Sequence, residues 1–151
     1  MNKVILLLFI MLFVFYGCEE QEEVVDAKDN VLLFVKEINP ELHQTMFKMD
    51  QEMAIADNKV QLLYDLKDRF PNQREMIKKS LKQWQVLHKD LNVTLNTIYE
   101  KVEAAYVAYK IDEIQGRQKF SETSQTLLIE AKAVLASAET TKSLIEEELY
   151  E

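Results

Sequence analysis

The chain has very little glycine, proline and cysteine: its 151 residues include two glycines, two prolines and one cysteine. β-Sandwiches and barrels need many turn residues, and the phosphate-binding loops of nucleotide-binding α/β folds need glycines, so both classes are disfavoured. A single cysteine excludes an intramolecular disulfide framework and any cysteine-rich zinc site. The formal net charge of -8 argues against nucleic acid as a partner. The composition therefore predicts an all-α protein.

The amino-terminal segment reads as a targeting signal. Lys3 provides a short positive start, and residues 4–16 are then 13 apolar or aromatic residues without a charge. This stretch suits the core of a signal peptide and is too short for a membrane-spanning helix, which needs about 20 residues. Four glutamates follow within residues 19–23.

The end of this apolar stretch reads Phe15-Tyr16-Gly17-Cys18. It resembles the lipobox of bacterial lipoproteins, in which a small residue precedes the lipidated cysteine. That family prefers leucine and a small residue at the positions where Phe15 and Tyr16 stand. The resemblance implies that residues 1–17 are a cleaved signal peptide and that Cys18 becomes the acylated first residue. An ordinary signal peptide with an incidental cysteine is the alternative, although the chain's only cysteine lies where the lipid chemistry needs a thiol.

The lipoprotein resemblance also implies a location. Residues 18–25 would form an acidic tether between the membrane anchor and the rest of the chain. Glu19 stands where lipoproteins of enteric bacteria carry an aspartate that favours retention in the inner membrane. We therefore expect a lipid-anchored protein of the cell envelope, on the periplasmic face of the outer membrane if the source is Gram-negative. A Gram-positive source, the inner membrane and surface exposure stay open.

Residues 26–151 are predicted to form one helical domain. A first helix runs from residue 24 or 26 to Ile38, and Asn39-Pro40 then predicts the capped start of a second helix. Apolar residues in this second helix are spaced alternately four and three apart, which is typical of a coiled-coil seam. They are Leu42, Met46, Met49, Met53, Ala56, Val60 and Leu63.

Two further helices carry similar stripes. Asn72 with Glu75 predicts an N-cap box for the third helix, and Gly116 predicts its left-handed C-terminal cap. The alternative is one rod that continues through Gly116, because one helical glycine costs only about 1 kcal/mol. The third stripe is Ile77, Leu81, Trp84, His88, Leu91, Leu95, Ile98, Val102, Ala105 and Tyr109, with Met76, Leu87 and Tyr106 beside it. The fourth helix is expected to start between Gly116 and Ser121, with Phe120, Leu127, Ala131, Val134, Ala138 and Ile145 on one stripe.

These patterns predict an elongated, antiparallel, coiled-coil-like helical bundle of three long helices and a short amino-terminal helix. The short connections make neighbouring helices antiparallel, and the fourth helix should end near residues 80–84 of the third. Apolar seams that a three-helix core leaves uncovered would also serve homo-oligomerisation.

The sequence offers no catalytic constellation. His43 and His88 are the only histidines, and the Glu-x-x-His spacing of di-iron bundles is absent because Gln85 stands three residues before His88. No serine or cysteine forms a recognisable set with a histidine and an acid. We therefore predict a non-enzyme with no catalytic residue, metal or cofactor. A bundle that binds haem or a small ligand around His88 is the less favoured alternative.

The charge pattern singles out one surface. Residues 67–89 hold seven basic and two acidic side chains, a net charge of +5. Arg74, Lys78 and Lys82 recur every four residues, with Lys79 beside them, and we call these four residues the basic patch. It is a candidate docking site for an acidic partner, a lipid or a cell-wall polymer. Alternatively, the acidic carboxyl-terminal residues from Glu146 onward pair with these lysines and neutralise them.

These features together predict a membrane-anchored lipoprotein with a structural or adaptor role, which binds a protein partner and catalyses nothing. The alternative from another class is an immunity-type lipoprotein that captures a toxin or a phage factor.

Overall fold

The computed structural model describes residues 27–148, and the side chains of residues 28–147. The four α-helices are α1 (Ala27–Ile38), α2 (Pro40–Arg69), α3 (Arg74–Ile111) and α4 (Glu113–Glu148), with a 3-10 turn at Pro71–Gln73. Within the described range only Asn39, Phe70 and Asp112 lie outside a helix. The predicted all-α helical bundle, with three long helices and a short first one, is confirmed. The predictions for the signal peptide, Cys18 and the acidic tether lie outside the described residues.

The chain divides into two compact units after Asn30, and the bundle is the unit that begins at Val31. Within it, α2 and α3 are antiparallel, because Gln85 of α3 donates to Tyr64 of α2 at 2.9 Å and Tyr99 of α3 donates to Asp50, earlier in α2, at 3.4 Å. The α3–α4 connection is a single residue, and the Lys101–Glu130 ion pair joins the two helices well away from it, so these helices are antiparallel as well. It follows that α4 runs parallel to α2, and each of the three helices contacts the other two.

The core follows the predicted seams. All residues of the α2 stripe are buried except Met53, and all of the α4 stripe except Val134, both of which are half-buried. The α3 stripe is buried from Ile77 to Val102 apart from His88, which is half-buried. Burial of a large apolar side chain stabilises a fold by about 1.5–3 kcal/mol, so these stripes hold the bundle together.

The α1–α2 break is built as predicted. Asn39 caps α2, because the backbone N–H of Leu42 donates to its Oδ1 at 3.0 Å, and Pro40 occupies the first helical position. The buried Asn39 side chain also donates through Nδ2 to Ser124 Oγ on α4, at 3.0 Å. One amide thus fixes the start of α2 and joins it to α4.

The predicted N-cap box at Asn72 is wrong. Asn72 lies inside the 3-10 turn, and α3 begins at Arg74 after Gln73, whose side chain makes no capping hydrogen bond. Proline favours the first position of a helical turn, so the turn starts at Pro71 and takes up the asparagine. Glu75 instead accepts a hydrogen bond from Lys78 at 2.7 Å.

The predicted role of Gly116 is also wrong. The chain reverses at Asp112, whose Oδ1 accepts from the backbone N–H of Gln115 at 3.0 Å and caps α4. Gly116 lies inside α4 without a positive φ. A Cβ there would stand 2.4 Å from Tyr109 Cα. The glycine is therefore needed because α3 and α4 meet closely below the turn, and the two helices form a hairpin rather than one rod.

Candidate functional site

The end of the α2–α3 hairpin extends past the last described turn of α4. Lys142 on α4 donates to Glu52 on α2 at 3.0 Å. Because these helices are parallel, the described part of α4 ends level with about residue 58 of α2. We call residues 59–82 the hairpin tip. It holds seven basic and three acidic residues, so its formal charge is +4 in a chain of -8.

All four residues of the basic patch are exposed on the first turns of α3. Arg74, Lys78 and Lys82 lie on one face because residues four apart are neighbours on a helix. The hydrogen bond and charge of Lys78, with a smaller contribution from Arg74, lower the pKa of the Glu75 carboxyl. The predicted cationic stripe is therefore a continuous exposed surface.

Lys78 of the patch is paired differently from cations along the sides of the bundle. Its ammonium contacts Glu75 of its own helix at 2.7 Å. Elsewhere, ion pairs join two helices; they include Glu37–Arg117, Glu41–Lys132, Glu52–Lys142 and Lys101–Glu130. The side-chain charges at the sides therefore link neighbouring helices, whereas the Lys78–Glu75 pair joins no second helix.

Large apolar side chains lie exposed among these cations. Phe70 is 49% exposed, Leu62 51% and Met76 42%. The sequence had placed Met76 beside the core stripe, and it gave no role to Phe70. The local sequence signal for the exposure of Phe70 is its position in the break before Pro71, because a residue outside the helices need not follow the buried stripe. Apolar contact area and positive charge thus lie on the same surface.

Tyr64 contributes a fixed aromatic ring to the hairpin tip. Its hydroxyl accepts a hydrogen bond from Gln85 Nε2 at 2.9 Å, and the Lys67 ammonium lies 5.2 Å from the ring centre. A cation at this distance interacts favourably with the ring face. These contacts hold the ring in place while it stays 42% exposed.

The acidic end of α4 lies toward the α2–α3 end of the bundle. The Lys101–Glu130 pair places the last described residue of α4 near residue 83 of α3, and the Lys142–Glu52 and Gln85–Tyr64 contacts place it nearer residue 91. Glu146 is half-buried and Glu147 exposed. Pairing of these acids with the basic patch stays a prediction.

Among the residues that the structure describes, neither histidine belongs to a cluster of potential ligands. Both His43 and His88 are half-buried. Within residues 27–148, no three side chains of histidine, cysteine, aspartate or glutamate converge in a way that would hold a metal ion. In the same range, no helix is long and apolar enough to cross a membrane.

The hairpin tip is therefore a surface suited to binding. It offers exposed cations for carboxylates and exposed apolar groups for contact area. No protein-family model, no curated protein and no solved structure matches this chain.

Proposed function

We propose that the protein is a bacterial lipoprotein, anchored in the cell envelope through Cys18, whose helical bundle binds an acidic protein partner at the hairpin tip. Its role in this proposal is that of a structural or adaptor protein, not of an enzyme. The lipobox-like sequence Phe15-Tyr16-Gly17-Cys18 supports the anchor. More than one acyl chain gives stable membrane attachment.

The observation that carries the binding role is the composition of the hairpin tip. The tip has a formal charge of +4 while the whole chain has -8. Phe70 and Met76 are about half exposed beside the cations. Charge complementarity increases association rates and selects partners, and the apolar groups add contact area that leaves water on binding.

A site-specific photocrosslink tests this role. A photoreactive amino acid replaces Met76 in the full chain, and crosslinking is performed in intact cells. The same residue at the exposed Ile129 of α4 serves as the position control. We expect an acidic envelope protein to be crosslinked from position 76 and not from position 129.

A matched pair of charge variants completes the test. Arg74→Glu, Lys78→Glu and Lys82→Glu together reverse three charges at the patch. Lys36→Glu, Lys48→Glu and Lys119→Glu change the net charge equally at exposed sites outside the hairpin tip. The patch variant should lose at least about tenfold of the crosslinked product, and the dispersed variant should keep it. Equal yields from the two variants, with folding unchanged by circular dichroism, would contradict the proposal.

The identity of the crosslinked protein separates two classes of function. A resident envelope protein supports the adaptor role. A secreted toxin or a phage protein would instead assign the chain to the immunity-type class.

A further inference from the structure

The opposite end of the bundle carries a second exposed apolar feature. Ile111 closes α3 and Ile114 lies in the first turn of α4, on either side of Asp112. They are 83% and 81% exposed. We call these two isoleucines the apolar turn. Isolated exposed apolar residues are common, but these two flank one tight turn that projects from the bundle end.

The chain enters the bundle at this same end. Phe34 of α1 packs against Phe120 and Tyr109, with ring centres 4.8 Å apart in both pairs. Further along α1, Glu37 pairs with Arg117. Asn39, in the break after α1, donates a hydrogen bond to Ser124. The start of this unit, Val31, is one turn before Phe34, whose partner Tyr109 is three residues from the α3–α4 turn at Asp112.

The length of the preceding chain limits how far this end can be from the anchor. Thirteen residue steps separate Cys18 from Val31, a reach of at most roughly 45 Å even when fully extended. The 38 residues of α3 span about 57 Å at 1.5 Å per residue. A lipid on Cys18 therefore keeps this end of the bundle within roughly 45 Å of the leaflet, a limit that does not apply to the hairpin tip.

The charges around the apolar turn suit a shallow contact. Asp112 and Glu113 stand between the two isoleucines in sequence, and Lys110 precedes them. The acids must stay in water or among headgroups, while the lysine can meet a lipid phosphate. The isoleucine side chains are the groups that gain from entering the acyl region.

We propose that Ile111 and Ile114 insert into the leaflet that carries the lipid anchor, so that the bundle stands on the membrane by two contacts. This inference rests on the proposed lipidation of Cys18. The apolar turn then contacts the bilayer surface rather than a protein. The hairpin tip is then held away from the membrane and is available to its partner.

Fluorescence from a single engineered thiol tests the insertion. The full chain carrying Ile114→Cys is acylated in cells, labelled with an environment-sensitive dye and reconstituted into vesicles of phosphatidylethanolamine with a minor share of phosphatidylglycerol. Ile129→Cys is the matched control, because it replaces another exposed isoleucine of α4 about 22 Å further along the helix. Ile111→Cys gives an independent second position.

We expect dyes at positions 111 and 114 to show blue-shifted emission and quenching by nitroxide-labelled lipid, and the dye at position 129 to show neither. Emission at 111 and 114 equal to that at 129, on protein whose intact mass shows an acylated Cys18, would overturn the insertion alone. An intact mass without acyl chains, with dye on Cys18 as well, would overturn the proposed anchor and this inference with it.

Discussion

Replacing Gly116 by alanine tests the packing of the α3–α4 hairpin. In an ordinary helix interior, alanine is more stable than glycine by about 1 kcal/mol. Here the added Cβ would lie 2.4 Å from Tyr109 Cα and 2.7 Å from Tyr109 N. Both are backbone atoms, so the helices themselves must separate. We take the cost near the upper end of the usual 1–3 kcal/mol for overpacking.

The net effect of Gly116→Ala is therefore a loss of about 2 kcal/mol, since about 3 kcal/mol of strain exceeds about 1 kcal/mol of helix propensity. For a unit of this size, that loss lowers Tm by about 8 °C. Moving Tyr109 also disturbs its contact with Phe34, where the ring centres are 4.8 Å apart. Urea and thermal unfolding, followed by far-ultraviolet circular dichroism, measure the changes in the free energy of unfolding and in Tm.

The matched control is Ala133→Gly at an exposed position of α4. It should lose only the propensity difference of about 1 kcal/mol. If Gly116→Ala instead stabilises the protein by the amount that Ala133→Gly loses, the close approach of α3 and α4 is refuted.

Three further changes probe the other breaks and one buried contact. Asp112→Ala should cost about 1 kcal/mol because α4 loses its N-cap, whereas Asp112→Asn should cost little; equal costs in urea unfolding would argue against the cap. Asn39→Ala should lower the free energy of unfolding by about 2–3 kcal/mol, since the α2 cap and the bond to Ser124 are both lost. A double-mutant cycle with Ser124→Ala should give a measurable coupling energy, and a coupling energy of zero would show that the bond is absent. Burial and the neighbouring Asp50 carboxylate raise the pKa of Tyr99 to about 12. The folded state therefore disfavours the phenolate, and stability should fall between about pH 10 and 12 in the wild type but less in Tyr99→Phe; parallel pH profiles would contradict this.

The sequence predicted the bundle well because burial along a helix follows its period. Residues spaced four and three apart lie on one face whatever the partner helix is, so Leu42, Leu91 and Leu127 could be assigned to the core without a structure, and each is buried. The start of α2 at Asn39-Pro40 could also be predicted from the local sequence, since cap and proline act within one turn.

The positions of the other breaks depended on contacts between helices. Gly116 has two ordinary reasons to exist, a left-handed cap or a close approach, and only the distance to Tyr109 distinguishes them. A local signal was nevertheless present: Asp112 followed three residues later by Gln115 has the spacing of an N-cap box.

In the candidate site as well, one feature follows from the local sequence and another depends on helix packing. The stripe of Arg74, Lys78 and Lys82 follows from spacing alone, and these residues are exposed. The exposure of Met76 depends on which neighbouring helices cover that side of α3, which is a property of the whole bundle. Periodicity within α3 therefore assigned this methionine to the core side, although it is 42% exposed.

Mass spectrometry of the amino-terminal peptide, from protein purified out of membranes, decides whether Cys18 carries a lipid anchor. We expect that residues 1–17 are absent and that the chain starts at a cysteine whose mass includes acyl chains. A peptide that retains Met1, or that starts at an unmodified Cys18, would contradict it.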